Sequence, residues 1–302
     1  MIARIFKYLG KKSGFTERQT SLQPLRRLVE DYLGQYSKTT VLYYPNPGNA
    51  GDSLLAVATL QAFSRCSVNF QAIDLAEAVD GKIVFLGGGG NFVPLYDQIE
   101  AAYQRFLGRA QKIVLLPHTI RGNEKLLRRL DQTCTLFCRD LESYNHVRSI
   151  NRTPEIILAH DMAFHLDAQR LLGRRELARI ASPILRDKLR SAGINEDMIR
   201  QKSSIDFSRL DTESRSAFAK SDADIGLLYM LGVWPHQAPT AAWCFLKTIS
   251  MASKITTDRL HVGIGSALLG VPCELRDNSY GKNEAVYKHS LKSFSNIRFI
   301  GS

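Results

Sequence analysis

From Val41 onward the chain repeats one unit: a short, wholly apolar run, a turn-forming cluster, then a helical pattern. Val41-Leu42-Tyr43-Tyr44 leads into Pro45-Asn46-Pro47-Gly48-Asn49-Ala50-Gly51, and a helical pattern covers Asp52 to about Phe63. Strand-like runs recur at 70–73, 82–86, 113–116, 135–138 and 156–158, each followed by turn residues or a helical stretch. Strands that are apolar throughout are buried on both faces, and helices between them supply the cover, so the rhythm specifies a parallel α/β sheet. Residues 39–165 are expected to form one doubly wound, Rossmann-like domain.

The flanking regions differ. Residues 1–38 are basic and helical in character. Within them Ile2, Ile5, Phe6 and Leu9 alternate with basic residues; this pattern can rest on an anionic membrane surface or pack as a short helix. Residues 168–222 read as helices with charged faces, with one possible strand at 204–207. An α/β pattern resumes near Asp224, with a helix near 241–252, a strand at Ile255 and a helix after Arg259. A smaller C-terminal α/β domain over 166–302 follows, carrying a helical insertion at about 168–222. A ligand cleft is expected between the two lobes, at the carboxyl ends of the strands.

The chain has 302 residues, ample for such cores, and a net charge of +11. That charge suits anionic partners in general. No helix-turn-helix, zinc-ligand or RNP-type pattern points to nucleic acid. No apolar run reaches the roughly 18 residues of a membrane span, and no secretory signal pattern opens the chain. Five scattered cysteines imply a reducing, cytoplasmic setting without a disulfide framework, and Cys134 and Cys138 lack the partners of a metal site.

Four turns at strand ends carry the chemistry. Gly48-Asn49-Ala50-Gly51-Asp52 permits close backbone approach, with Asp52 or Ser53 available to cap a helix. It lacks the G-x-G-x-x-G and Gly-Lys-Ser/Thr of nucleotide-binding loops. Gly87-Gly88-Gly89-Gly90-Asn91 has a high entropic cost, which a loop lying flat on a ligand would explain. Cys138-Arg139-Asp140-Leu141-Glu142-Ser143 places Arg139 where it can clamp an anion or pair with neighbouring acids. His118 and Asp161 sit at equivalent strand ends, to contact a ligand or support the turns. Trp234 and Trp243 can stack on a sugar or fill core. Finally, Asp258-Arg259-Leu260-His261 follows a β-branched run and opens a helix ending at Gly270. An arginine and a histidine beside a helix N-terminus suit acid chemistry on an anion; two exposed polar residues at an ordinary helix start are the plain alternative.

Taken together, Gly-Asn-x-Gly-Asp, then Gly-Gly-Gly-Asn, Cys-Arg-Asp-x-x-Ser, Asp161 and Asp-Arg-Leu-His followed by Gly-x-Pro resemble the polysaccharide pyruvyl transferase family. Asn278-Ser279-Tyr280-Gly281-Lys282 is similar to that family's aromatic-then-lysine motif. His118-Thr119 departs from the family's more frequent Gln-Ser, and 168–222 matches poorly. The resemblance implies a GT-B-like fold. It implies transfer of the pyruvyl group of phosphoenolpyruvate to hydroxyls of a sugar in a bacterial exopolysaccharide or surface glycan, forming a ketal.

On that reading His261, Arg259 and Arg139 are catalytic. Asn49, Gly51, Asp52, Gly88, Gly89, Gly90, Asn91, His118, Asp161 and Lys282 bind substrate. No metal and no cofactor beyond the donor is expected. The acceptor can be lipid-linked, with the protein at the inner face of the plasma membrane. Two alternatives stand beside it: a GT-B glycosyltransferase using a nucleotide sugar, and a non-catalytic saccharide-binding assembly protein.

Overall fold

The computed structural model describes residues 22–214 and 221–301. The expected membrane-surface pattern at Ile2–Leu9 lies outside these residues. The described chain builds two sheets in which every strand pair is parallel.

The first sheet comprises β1 (Thr40–Tyr44), β2 (Asn69–Ala72), β3 (Ile83–Leu86), β4 (Gly89–Phe92), β5 (Lys112–Ile120), β6 (Cys134–Cys138) and β7 (Glu155–Leu158). Its order is β2-β1-β3-β5-β6-β7, with β4 pairing the far end of β5. The second sheet comprises β8 (Ile205–Asp206), β9 (Ile255–Thr257), β10 (Cys273–Leu275) and β11 (Ile297–Phe299), in the order β11-β10-β9-β8.

Helices fill the connections. Around the first sheet they are α1 (residues 22–34), α2 (Ala50–Arg65), α3 (Gln98–Phe106), α4 (Glu124–Leu127) and α5 (Leu141–Ile150). After the 3₁₀ turn Met162–His165 come α6 (Ala168–Leu172), α7 (Arg175–Ser191), α8 (Glu196–Gln201), α9 (Ile225–Leu228), α10 (Ala238–Met251), α11 (Leu260–Leu269) and α12 (Lys282–Val286).

The period of two along a strand explains the layering. Tyr43, Phe85, Val114 and Phe137 face one side of the first sheet and join α2. Leu42, Tyr44, Val84, Leu115 and Leu136 face the other and meet Ile99, Tyr103 and Val147 of α3 and α5. The first of these cores continues without a break through α7 and α10 to Ile255, Leu275 and Ile297 of the second sheet. Helix α10 packs on α2, α6, α7, α8 and α11. Residues 168–201 thus form part of this shared core, and β8 is the edge strand of the second sheet.

Three local expectations need correction. The tetraglycine stretch was expected to be a loop, but Gly89 and Gly90 open β4, because Gly89 pairs with His118 and Phe92 with Ile120. Weak local β propensity is overridden by a tertiary partner. Likewise β5 does not stop at Leu116. It runs through Pro117 and His118, with the missing Pro N–H absorbed by a register shift against β6 between Leu115 and His118. Helix α2 begins at Ala50, not Asp52. Asn49 is its cap: its side chain accepts the Gly51 N–H, while its own N–H donates to Asp52, which completes a capping box.

Candidate active site

The carboxyl ends of both sheets open on one cavity of about 150 Å³. From the first sheet come Asn49 and Asp52 at the start of α2, Gly90 and Asn91 on β4, and Arg139 just after β6. From the second come Arg259 and His261, at the cap and in the first turn of α11, and Lys282 at the start of α12. The two arginines, 120 positions apart in sequence, therefore line the same space.

Arg139 is 1% exposed. Its Nη1 donates to Asp161 Oδ2 at 2.8 Å and its Nε to Thr119 Oγ1 at 2.8 Å. Its Nη2 faces Gly90, where a β-carbon would come within 2.6 Å. Glycine at 90 is thus a close-approach requirement. Asp161 caps the 3₁₀ turn by accepting the Ala163 N–H at 2.8 Å. Its Oδ2 also lies 3.8 Å from Nε2 of His261, an atom with no hydrogen-bond partner among the described residues. Burial alone would raise the Asp161 carboxyl, but Arg139 and then His261 hold it well below the usual carboxylate range.

His261 is positioned by α2. A β-carbon at Gly51 would lie 2.3 Å from His261 Nδ1, so the first turns of α2 and α11 touch through a glycine and an imidazole. Across the cavity wall, burial pushes the Asp52 carboxyl up, against the opposing pull of His261.

Arg259 is not a free clamp. Its Nε and Nη2 pair with the two oxygens of Asp224, and Nη2 also donates to Asp211 at 2.9 Å. The expectation of a guanidinium open to bidentate ligand recognition is corrected for this state. Part of the reason lies in the segment that matched least well, which holds Asp211; Asp224 follows just beyond it.

The same segment contributes two residues that sequence reasoning missed, Arg209 and Glu213. Glu213 is 4% exposed and accepts from Tyr96 Oη at 2.7 Å and Lys282 Nζ at 2.7 Å, and pairs with Arg209 at 2.7 Å. Burial opposes its ionisation, yet Lys282 and Arg209 outweigh that and lower its pKa. Burial brings Lys282 down to about 8, with Glu213 acting in the other direction. Asp224, Arg259, Asp211, Arg209, Glu213 and Lys282 thus form one continuous chain of alternating charge. No local motif marks Arg209 or Glu213; only their position after β8 reveals them.

Several residues expected to contact ligand are packed or hydrogen-bonded within the fold around the cavity. Gly88 packs against Pro117 and Met162, and Gly89 against Asn46 and His118. His118 is fully buried, and its Nε2 meets Asn91 Oδ1 at 2.9 Å. Burial and then Arg139 keep its pKa well below the ordinary value, so the ring is neutral. Asn91 in turn exchanges hydrogen bonds with Asn46, tying β4 to the loop before α2. Trp243 is buried in α10. Among the described residues no cluster of three or more His, Cys, Asp or Glu side chains is arranged to hold a metal, and no helix is long and apolar enough to cross a membrane.

Comparison with known proteins adds three findings. Residues 49–279 match the family model described as polysaccharide pyruvyl transferase. The chain is 24% identical over 313 aligned positions to pyruvyl transferase 1 of Schizosaccharomyces pombe (strain 972 / ATCC 24843), covering 91% of this chain and 75% of that protein. A crystal structure of a functionally uncharacterised protein from Klebsiella pneumoniae subsp. pneumoniae NTUH-K2044 superposes with a TM-score of 0.73 at 27% identity, covering 92% of this chain and 99% of that one.

Proposed function

Since this chain belongs to the polysaccharide pyruvyl transferase family, we propose that it moves the pyruvyl group of phosphoenolpyruvate onto two hydroxyls of a saccharide, with His261 as the acid. The observation that carries the reading is the His261 Nε2 atom. It stands at the cavity without a hydrogen-bond partner among the described residues, 3.8 Å from a buried carboxylate that Arg139 clamps. The His261 imidazole is the group placed to give a proton to the methylene carbon of the donor.

Protonation at that carbon leaves C2 electron-poor. One sugar hydroxyl adds to C2 and loses its proton; Asp52, across the cavity, is the carboxylate placed to take it. A second hydroxyl then displaces phosphate and closes the ketal. Lys282, Arg139 and the N-terminal end of α11 supply positive potential for the donor's carboxylate and phosphate. Arg259 contributes through its charge, within the chain of ion pairs that ends at Lys282. The cavity volume favours a small donor: about 150 Å³ is well below the roughly 300 Å³ at which pockets for drug-sized ligands begin. This weighs against a nucleotide sugar. Two parallel sheets contributing strand ends to one cavity support a GT-B-like arrangement. A lipid-linked saccharide at the inner face of the plasma membrane fits such a reaction.

The test is acceptor-dependent release of phosphate, with pyruvate retained on the sugar as an acid-labile ketal, run with chelator present. His261→Gln should lower turnover by roughly 10²–10⁴-fold without loss of fold. Near wild-type turnover in a folded H261Q protein would remove the acid role. Phosphate release that needs a nucleotide sugar would replace the donor.

A further inference from the structure

Helix α7 carries a feature that the active site does not use. Its buried face is Leu177, Ala181, Leu185 and Leu189, which pack into the shared core. On a solvent-facing flank Arg175, Arg179, Arg186 and Arg190 are all exposed. At 3.6 residues per turn these four fall within an arc of about 60°, spread over about 22 Å of the helix. Arg190 approaches Asp187 only at 3.8 Å, with both side chains about four-fifths exposed. Arg175, Arg179 and Arg186 make no ion pair with any described carboxylate. Beside the line stand exposed Pro183 and Ile180, the latter 56% exposed, with the carboxylates of Glu176 and Asp187 between them.

A second observation lies at the C-terminal end of the same line. Arg186 and Arg190 reach a cavity of about 620 Å³ between α7 and α8, where Arg200 joins them and Leu189 and Ile194 form the apolar floor. Glu196 and Asp197 line it too and pair with Arg200, which leaves Arg186 and Arg190 as the cations at its mouth that can meet a headgroup phosphate.

From this geometry we infer that the exposed face of α7 docks on an anionic phospholipid surface, with Arg175, Arg179, Arg186 and Arg190 on headgroup phosphates and Ile180 at the acyl boundary. Charge complementarity selects an anionic surface. The exposed apolar residues select lipid over nucleic acid, since the line carries no aromatic ring on which a base could stack. Each basic side chain near such a surface contributes about a fivefold factor in partition, so four act strongly together. The inference is independent of the pyruvyl-transfer reading, because it is read out by binding alone.

The experiment is flotation of the full chain with vesicles of phosphatidylcholine, alone or mixed with phosphatidylglycerol. The wild-type chain should bind only the mixed vesicles and should be released by high salt. The R175Q/R179Q/R186Q/R190Q protein should partition at least about tenfold more weakly. I180S should weaken binding while leaving the salt dependence intact. A K125Q/R128Q/R129Q/R152Q protein removes the same charge from other exposed positions and should bind almost as the wild type does. Matching thermal unfolding among the variants establishes that each is folded. Equal losses in the two quadruple variants would reduce the effect to diffuse charge. Absence of wild-type binding, or displacement from vesicles by a single-stranded oligonucleotide, would overturn the proposal.

Discussion

Asp161 and Lys282 illustrate how individual residues make the site both stable and costly. Asp161 is fully buried, and its partner Arg139 is nearly so. Asp161→Asn would leave a buried guanidinium without its counter-charge, a change that typically costs about 3–5 kcal/mol. Because the Asp161 carboxyl is held below its ordinary value, its contribution is fully present above a pH of about 3.9 and is lost as pH falls toward the folded value. Urea titrations of the wild type and D161N at neutral and acid pH should therefore converge as the pH drops. A constant gap would assign the loss to packing instead. Lys282 gives the same slope in an alkaline window. Its folded pKa is about 8 against an ordinary 10.5, so across that window the unfolded chain holds more protons. Its contribution to stability should rise with pH there, while binding of the anionic donor falls. An alkaline limb of kcat/KM near pH 8 that persists in Lys282→Met would contradict this assignment.

At the scale of elements, the site depends on helix starts meeting each other. The first turns of α2 and α11 approach so closely that Gly51 leaves 2.3 Å between a notional β-carbon and His261 Nδ1. Gly51→Ala must displace the imidazole from the Asp161 carboxylate. The expected result is a loss of turnover approaching that of H261Q, with much of the native stability kept, because His261 sits at the cavity edge. Turnover and melting temperature measured on one preparation check this; wild-type turnover would show that the ring tolerates the shift. The same scale explains what sequence motifs could and could not show. Asn49, Asp140 and Asp161 cap the elements that follow them, whereas the sequence pointed to Asp52 or Ser53 as the cap of α2. The role of Gly89 and Gly90 in a strand was not recognisable, because β4 exists only through its pairing with β5.

For the whole molecule, the decisive fact is the core that runs from Tyr43 and Phe85 through α2 and α10 to Leu275 and Ile297. Two sheets joined by such a core should unfold together. Calorimetry should give one transition whose calorimetric and van't Hoff enthalpies agree. Two separable transitions would show that the sheets fold as independent units. Phosphoenolpyruvate at 100 times its dissociation constant should add about 2.7 kcal/mol to native stability and raise that transition.

By itself the sequence determined the α/β class and the alternation of strands and helices, and it placed Arg139, Asp161, Arg259 and His261 at strand ends. It could do so because apolar period, turn residues and caps act between near neighbours, and because the motifs of Arg139, Asp161 and His261 are contiguous. Only the tertiary structure decided which of these residues are free. It showed Arg259 bound to Asp224 and Asp211, and His118 sealed under Asn91. It also brought Arg209 and Glu213 to the cavity from a segment without a motif. The physical reason is that ion pairing and burial depend on distances between residues far apart in the chain, and these are fixed when both sheets close on one core.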